Sequence, residues 1–276
     1  MHKKQAVLSL LFPLYRSAPL LPNLLLQLKQ LTSPDYEIII SDRHCYDNAI
    51  DVLHENFSDD ERFRFIRATD RLHWVDHYNA LLQQASGEYF CWVPHDDAYE
   101  RGFFSVLTNE MEQQPSAILA FATMNVEEKK DWVPDYSIFK RVSHYPYSTR
   151  EYLQLYRSGL LGIPFRGIFR RDVIVRNKLL IRQHKSVNTY QDMFWIFALL
   201  QHGGFVYSDE THCAKRYREG SAHSGWKTTS RSKRNPYVLQ LFFAYLFASP
   251  LSFFAKIKLG AGILIPDSLS GKLGES

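Results

Sequence analysis

The chain of 276 residues is long enough for one large α/β domain with a sizeable core, or for two small domains. Hydrophobic residues make up 45% of it and charged residues 22%, which excludes a disordered chain. Residues 211–276 carry ten Lys and Arg against three Asp and Glu, whereas residues 1–210 have a net charge of −3. The basic end predicts an anionic partner, either a phosphate group or an acidic membrane surface, and the acidic remainder disfavours nucleic acid.

Two features bear on the compartment. The three cysteines lie far apart with no CxxC pair, so we expect reduced thiols in a cytoplasmic protein rather than disulfides or a zinc site. The basic and apolar start of the chain is similar to a signal peptide, but the apolar run is short, contains Pro13 and lacks a cleavage site. We therefore interpret this run as a buried first strand.

Apolar runs alternate with amphipathic segments in the first part of the chain. The apolar runs predict strands at 6–12, 37–41, 63–66 and 89–93. Apolar residues at helical spacing predict helices at 21–31, 47–57 and 74–85, and Gly87 is expected to end the third helix as a C′ glycine. This alternation predicts a mostly parallel sheet with helices on both faces.

The second part of the chain has weaker periodicity. We expect strands at 117–124, 167–169 and 205–207, a helix beginning at Thr149 and another at 193–200. Residues 125–148 have no clear period and are expected to form a long loop or a small excursion from the domain. Residues 236–255 are uncharged and rich in aromatic side chains, and Pro250 favours two short helices over one membrane-spanning helix.

Polar clusters follow three of the predicted parallel strands. The clusters are Tyr15-Arg16, Asp42-Arg43-His44 and His95-Asp96-Asp97. Because ligands of such sheets bind beyond the carboxyl ends of the strands, we expect these clusters to converge on one site. The adjacent carboxylates of Asp96 and Asp97 are suited to a hard divalent cation, although an isolated Asp-Asp pair is more often a solvated turn.

The glycine-rich motifs of phosphate binding are missing from the sequence. No GxGxxG follows the first strand and no GxxxxGK[ST] occurs, which disfavours a dinucleotide-binding dehydrogenase and a P-loop protein. The GxSxG motif of α/β-hydrolases is also missing. A phosphate-bearing ligand would therefore be bound by a metal ion and cationic side chains.

Taken in order, these segments resemble the inverting GT-A glycosyltransferases of family 2 over roughly residues 5–226. The resemblance rests on six loose motifs in the family's order: Pro13-Leu14-Tyr15, residues 38–45 for the strand ending in VDDGS, residues 77–97 for ARNxGLxxAxGEYIxFLDxDD, residues 167–171 for the strand before the acceptor helix, Tyr190-Gln191-Asp192, and Tyr217-Arg218 with Ser221 and His223 for YRxHxxS.

The resemblance implies a GT-A (Rossmann-like) α/β fold and transfer of a sugar from a nucleotide-sugar to a hydroxyl acceptor with inversion. By position, Asp192 is the catalytic base, and Asp96, with Asp97 beside it, binds the metal. The donor-binding residues implied by position are Pro13, Tyr15, Asp42, Asn79, Asp96, Arg218 and His223. The implied cofactor is Mn²⁺ or Mg²⁺, the donor a UDP-, GDP- or dTDP-sugar, and the acceptor a glycan or lipid-linked molecule in polysaccharide or glycoconjugate assembly.

The chain departs from the family's pattern at several positions. Arg43 replaces the second Asp of VDD, Pro94 replaces the first Asp of DxD, and Gln191 replaces the Glu before the base. These lost carboxylates leave a non-catalytic nucleotide-sugar-binding protein as one alternative. A sugar-phosphate nucleotidyltransferase is the other, but residues 12–17 lack the Gly-rich basic loop that such an enzyme needs after its first strand.

We divide the chain into a nucleotide-sugar-binding and catalytic domain, 1–226, and a basic, aromatic helical tail, 227–276. The tail is expected to pack on the domain or to contact a membrane surface. The second arrangement would place the protein in the cytoplasm at the inner face of the membrane.

Overall fold

The computed structural model describes residues 7–43, 47–70, 72–127, 133–141, 144–185, 190–216 and 236–264. Its strands are β1 (Leu8–Leu14), β2 (Tyr36–Asp42), β3 (Phe63–Arg67), β4 (Tyr89–Trp92), β5 (Ala98–Tyr99), β6 (Ala117–Val126), β7 (Ile168–Arg170) and β8 (Gly204–Lys215). Its α-helices are α1 (Leu21–Lys29), α2 (Ala49–Phe57), α3 (Trp74–Gln84), α4 (Phe103–Gln113), α5 (Ser137–Arg141), α6 (Thr149–Ser158), α7 (Arg171–Arg176), α8 (Gln191–Leu199), α9 (Pro236–Ala248) and α10 (Phe253–Leu264). Short 3₁₀ helices lie at Ala18–Leu20 and Ile163–Arg166.

The described strands form one sheet in the order β3-β2-β1-β4-β7-β6-β8-β5. Strands β3, β2, β1 and β4 run parallel, with helices in their connections, as the alternating sequence pattern predicts. Strand β7 is antiparallel to its neighbours β4 and β6, β8 is parallel to β6, and β5 is antiparallel to β8. The predicted α/β class is therefore confirmed, with a parallel first part and a mixed second part.

The parallel part of the sheet is anchored by a strand buried on both faces. Every residue of β1 is buried, and the strand lies between β2 and β4. In register, Leu14 lies opposite Asp42 on β2, and Leu11 lies opposite Trp92 on β4. The three strands therefore end at one edge of the sheet, where ligands of parallel sheets bind.

Strand β8 is longer than its short apolar run predicts. It covers 12 residues, because its polar second part continues to pair with β6 after a register shift between Ala122 and Thr123. This extension ends at Lys215, which lies opposite Val126.

The predicted role of Gly87 as a C′ glycine is wrong. Helix α3 ends at Gln84 with Ala85 as its C-cap, and Gly87 is not among the residues with positive φ. Its backbone N–H instead donates to the hydroxyl of Ser9 over 2.9 Å, and a Cβ at this position would lie 2.8 Å from the backbone nitrogen of Ser9. Glycine is required because the chain passes against β1, not because the helix needs a left-handed ending.

A layer of aromatic rings lies under the edge where the parallel strands end. Trp92 on β4 and Trp195 on α8 are both fully buried, with ring centroids 5.0 Å apart. Both also contact Phe165, at 5.2 and 5.9 Å between centroids. The layer joins β4, the turn at Ile163–Arg166 and α8, so it fixes the relative positions of these three elements.

The predicted pair of tail helices is present as α9 and α10. Phe242 of α9 is fully buried, and its ring contacts Tyr156 of α6 together with Phe194 and Phe197 of α8. This contact explains why α8 is apolar on all sides. None of the described helices combines the length and the hydropathy needed to cross a membrane.

Candidate active site

A cleft with about 910 Å³ of empty volume opens at the edge where the parallel strands end. The cleft is lined by Pro13, Leu14, Tyr15, Arg43, Trp74, His77, Tyr78, Pro94, His95, Asp96, Asp97, Phe165, Arg166, Asp192, Lys215 and Arg216. The lining includes members of all three polar clusters that follow the first, second and fourth strands, and also the start of α8 and the end of β8. Residues from both parts of the sheet thus meet in one cavity.

Tyr15 and Arg43 form one wall of the cleft. The guanidinium carbon of Arg43 lies 4.4 Å from the centroid of the Tyr15 ring, and that of Arg16 lies 5.3 Å from it. Both distances are within the range of cation–π attraction. Arg16 has a φ of 51°, an uncommon conformation for a residue with a Cβ. The ring predicted to stack on a nucleobase is therefore combined with a positive charge at the end of β1.

Two histidines hold the ends of the strands together. His95 Nδ1 lies 3.2 Å from the carbonyl oxygen of Pro13 and 3.3 Å from the hydroxyl of Ser17. His77 Nε2 lies 2.9 Å from the hydroxyl of Ser41 on β2. Burial, and next the charge of Arg43, lower the pKa of His77 from 6.5 to about 3, so this imidazole is neutral at pH 7.

Asp97 is bonded to a residue that the sequence motifs did not indicate. Its Oδ2 accepts a hydrogen bond from Nε of Arg166 over 2.6 Å, and its Oδ1 accepts one from the backbone N–H of Arg216 over 3.3 Å. The side chains of Asp97 and Arg166 are 1% and 9% exposed, so this ion pair is buried. Burial raises the pKa of the Asp97 carboxyl, and the guanidinium of Arg166 opposes that shift.

The two adjacent carboxylates, Asp96 and Asp97, differ in how far they are available to a metal ion. Asp96 is half-buried and lines the cleft, whereas Asp97 is already neutralised by Arg166. Within the described residues, no group of three or more His, Cys, Asp or Glu side chains is placed to hold a metal ion. The donor set fits an ion such as Mg²⁺, which is commonly bound through one or two carboxylates together with substrate phosphates and water.

Asp192 lies in the first turn of α8, and every other residue of that helix is buried. Its Oδ1 accepts a hydrogen bond from the backbone N–H of Met193 over 2.9 Å. The preceding N-cap, Tyr190, has a φ of 65° in the left-handed region, which sets the direction in which the helix begins. A Cβ on Gly162 would lie 3.7 Å from Oδ2 of Asp192, so the glycine packs beside this carboxylate.

Lys215 and Arg216, at the end of β8, add positive charge to the cleft. Burial, and next the neighbouring Arg166, lower the pKa of Lys215 to about 8, whereas the carboxylates of Asp192 and Asp97 favour its charged form. Nε of Arg216 donates to Oε1 of Glu127 over 2.7 Å. Sequence reasoning missed both residues and Arg166. The Ala214-Lys215-Arg216 segment just before the YRxHxxS-like motif was the available signal.

Other predicted site residues lie elsewhere. Asn79 is not part of the cleft lining, and its side-chain amide bonds the carbonyl and the N–H of Ile181 at 2.9 and 3.0 Å. Asp42 is 7% exposed at the end of β2 and is also not among the lining residues. Arg218 and His223 lie outside the described residues. Their donor-binding roles, like those of Pro13, Tyr15 and Asp96, stay predictions.

Solved structures with the same architecture identify the fold. The S. aureus TarS fragment 1–349 in complex with UDP-GlcNAc matches with a TM-score of 0.73 and 17% sequence identity, over 98% of this chain and 76% of that chain. The mannosyltransferase PcManGT from Pyrobaculum calidifontis, in complex with GDP-Man and Mn²⁺, matches with a TM-score of 0.59 and 13% identity, over 95% of this chain and 72% of that chain. The fold is that of the GT-A, Rossmann-like glycosyltransferases, as the motifs predict.

A family model assigns the chain to a narrower group of proteins than the shared fold does. The model of glycosyl transferase family 2 matches residues 9–176, which is more than half of the chain. The protein therefore belongs to glycosyl transferase family 2. A comparison with curated proteins gives no significant match.

Proposed function

We propose that this protein transfers a sugar from a nucleoside diphosphate sugar to an acceptor hydroxyl with inversion, and that Asp192 is the general base. The observation that carries the proposal is the composition of the cleft. Its wall combines the carboxylate that opens α8 with the cations Arg43, Lys215 and Arg216. A displacement that releases a diphosphate requires both a base and a stabilised anion.

The donor side of the cleft is assigned from charge and from structural neighbours. Neighbours of the same fold are solved with UDP-GlcNAc, UDP and GDP-Man, which supports a UDP-, GDP- or dTDP-sugar here. Tyr15 offers an aromatic face to the base, and Arg43 beside it is placed to meet a phosphate. Lys215 supplies a second cation for the diphosphate.

The chemical step assigned to the residues is a single displacement. The acceptor hydroxyl gives its proton to a carboxylate oxygen of Asp192 while its oxygen bonds to the anomeric carbon. The bond from that carbon to the diphosphate oxygen breaks at the same time, and the electron pair leaves with the nucleoside diphosphate. Attack and departure on opposite faces of the sugar invert the anomeric centre. A positioned general base typically contributes about 10²–10⁴-fold to such a step.

We assign the divalent ion, Mn²⁺ or Mg²⁺, to Asp96, with Asp97 beside it as the sequence motif predicts. When bound, the ion would add positive charge where the diphosphate develops negative charge. The Mn²⁺ in the mannosyltransferase neighbour supports this assignment. Because Arg166 holds Asp97, we expect Asp96 to be the principal protein ligand.

The pathway is proposed from the family resemblance and the compartment from the cysteines. The family resemblance supports a glycan or lipid-linked acceptor in polysaccharide or glycoconjugate assembly. The described cysteines, Cys91 and Cys213, are free thiols and buried, which is in keeping with a cytoplasmic protein.

Replacement of Asp192 by Asn tests the proposal, because the amide keeps the shape of the side chain but is a poor base. With water as a surrogate acceptor and Mn²⁺ present, hydrolysis of a panel of nucleotide-sugars should fall about 10²-fold or more. Donor affinity by calorimetry should change less than about threefold, or about 0.65 kcal/mol. Asp172→Asn, in the exposed turn of α7, is the matched control and should leave both quantities unchanged. Near-normal turnover in Asp192→Asn would contradict the assignment.

The replacement of the family's Glu by Gln191 favours the non-catalytic alternative, because a neutral amide stands where the family has a carboxylate. Gln191, which replaces the family's Glu, is 1% exposed, and neither atom of its amide has a hydrogen-bond partner within the described part of the chain. A pure binding protein would show donor-linked stabilisation, about 2.7 kcal/mol at one hundred times the dissociation constant, without any hydrolysis or transfer.

A further inference from the structure

Helix α10 exposes an apolar face to solvent. Phe253, Phe254 and Ile257 are 69%, 75% and 51% exposed, whereas Leu259 on the other side of the helix is fully buried. The exposed positions 253, 254, 257, 261 and 264 recur at spacings of three and four, so they form one continuous face. Contiguous exposed apolar surface of this kind marks interaction sites in soluble proteins.

The end of α9 extends this surface. Phe247 is 64% exposed, and its carbonyl oxygen accepts a hydrogen bond from Nζ of Lys256 over 3.0 Å. That bond closes the turn between the helices and brings Phe247 next to the start of α10. We call the surface formed by Phe247, Phe253, Phe254 and Ile257 the α9–α10 corner.

The charged side chains on helices α9 and α10 are all lysines. Between Glu219 and Asp267 the sequence contains no acidic residue and six basic ones, of which Lys256 and Lys258 lie on α10, whereas Lys227, Arg231, Lys233 and Arg234 lie outside the described residues. In the described helices, Lys258 is exposed on α10 next to Ile257, and Lys256 lies at the turn. An apolar helix face that has lysines and no acidic side chain on its own helix is complementary to an anionic lipid surface, where each basic residue adds about 1 kcal/mol of attraction.

We propose that the α9–α10 corner inserts into the interface of an anionic lipid bilayer, with α10 lying along the membrane surface. The side chains of the corner enter the boundary between headgroups and acyl chains, as in other interfacial amphipathic helices, and the lysines remain at headgroup level. The remainder of the fold stays in water, because the opposite side of α10 packs on α6. There Arg157 donates to the carbonyl of Gly262 over 2.8 Å.

Charge decides between a bilayer and a second copy of the chain. A symmetric dimer through this corner would place Lys258 of each copy near that of the other, and no acidic side chain exists on α9 or α10 to offset them. An anionic bilayer removes the same apolar surface from water and attracts the lysines.

Co-sedimentation of the full chain with vesicles tests the proposal. Vesicles of phosphatidylcholine with about one-third phosphatidylglycerol should bind the protein at low salt, and added salt should reduce this binding. Vesicles of pure phosphatidylcholine should bind the protein several-fold more weakly. The triple variant Phe253→Ser, Phe254→Ser and Ile257→Ser should lower the partition coefficient by at least about tenfold, equivalent to about 1.4 kcal/mol. Lys258→Gln should lower it about fivefold on the anionic vesicles only.

A matched control removes exposed apolar side chains elsewhere. Leu26 on α1 and Val175 on α7 are 61% and 45% exposed, so Leu26→Ser with Val175→Ser loses exposed apolar surface away from the corner and should still sediment like the parent. Because the replaced side chains are exposed, thermal melts should show all variants folded.

The proposal is overturned if the parent chain stays in the supernatant with anionic vesicles at low salt, or if the triple variant binds as the parent does. It is also overturned if the parent chain does not bind vesicles but forms a dimer in light scattering, and the triple variant does not form that dimer. Since no donor is present, each outcome is independent of whether the protein proves to be a transferase.

Discussion

The buried ion pair between Asp97 and Arg166 makes Asp97 the residue whose replacement separates a structural role from a metal-binding one. In Asp97→Asn, the guanidinium of Arg166 would stay buried at 9% exposure without the carboxylate that now lies 2.6 Å from it. Breaking a buried pair by removing one partner costs about 3–5 kcal/mol, because the remaining charge is desolvated and uncompensated. At about 2–4 °C per kcal/mol for a chain of this size, the melting temperature should fall by roughly 6–20 °C.

Asp96→Asn is the matched comparison, since it makes the same chemical change one residue earlier in the chain. Asp96 is half-buried and, among the described residues, is not part of an ion pair, so its replacement should change the free energy of unfolding by less than about 0.5 kcal/mol. Its effect should appear instead in metal-stimulated turnover. The double variant Asp97→Asn with Arg166→Met removes both charges and should recover much of the lost stability.

Urea unfolding followed by circular dichroism measures these differences, provided that the slope of free energy against urea stays constant. If Asp97→Asn is as stable as Asp96→Asn and loses Mn²⁺ binding instead, the ion pair is not what holds Asp97. Asp97 would then act as a metal ligand. If the double variant is no more stable than Asp97→Asn, the cost does not come from the unpaired guanidinium.

Three further predictions concern single residues. Activity should fall as the pH rises through about 8, because Lys215 loses its proton there and no longer offsets the negative charge of the diphosphate. In Lys215→Arg this decline should shift to higher pH, because arginine keeps its proton. In Lys215→Met the residual activity should show no such decline. His77 stays neutral in the folded chain down to about pH 3 but takes a proton below about pH 6.5 when the chain is unfolded. Protonation of the unfolded chain should therefore lower the free energy of unfolding by about 2 kcal/mol as the pH falls from 7 to 5. His77→Gln should flatten this acid limb in urea melts, and an unchanged slope would refute the assignment. Gly87→Ala should destabilise the fold by about 1–3 kcal/mol through its clash with the backbone of Ser9, whereas Gly162→Ala, whose Cβ meets ordinary contacts, should change stability by less than about 0.5 kcal/mol.

The sequence predicts a strand or helix correctly where the burial of that one element determines its pattern of apolar residues. Strands β1 and β2 are buried on both faces where they pair, so each appears as a continuous apolar run, and the order of strands and helices predicts their parallel pairing. The later strand β8 was underestimated, because its second part alternates polar residues that resemble a loop. Its pairing with β6 on one side and with β5 on the other makes it a strand.

The candidate site was predictable at the ends of the parallel strands and not beyond them. Nothing local marks Arg166 as the partner of Asp97, since the two are 69 residues apart and Arg166 lies in a short 3₁₀ helix. The side-chain amide of Asn79 donates a hydrogen bond to the carbonyl oxygen of Ile181, 102 residues away, and the spacing of apolar residues along the chain cannot predict such a contact. Gly87 was misassigned because a glycine after a helix usually signals a left-handed cap, whereas here the constraint comes from a neighbouring strand.

The long sequence separations across the cleft have a consequence for folding. Besides the pair of Asp97 with Arg166, the backbone N–H of Arg216 reaches the same carboxylate across 119 residues. Contacts of such high contact order form late, because the loops they close are costly in entropy. The parallel strands can therefore pair while the cleft is still open along one wall, and a chain emerging from the ribosome would acquire its complete ligand site only after β8 has joined the sheet.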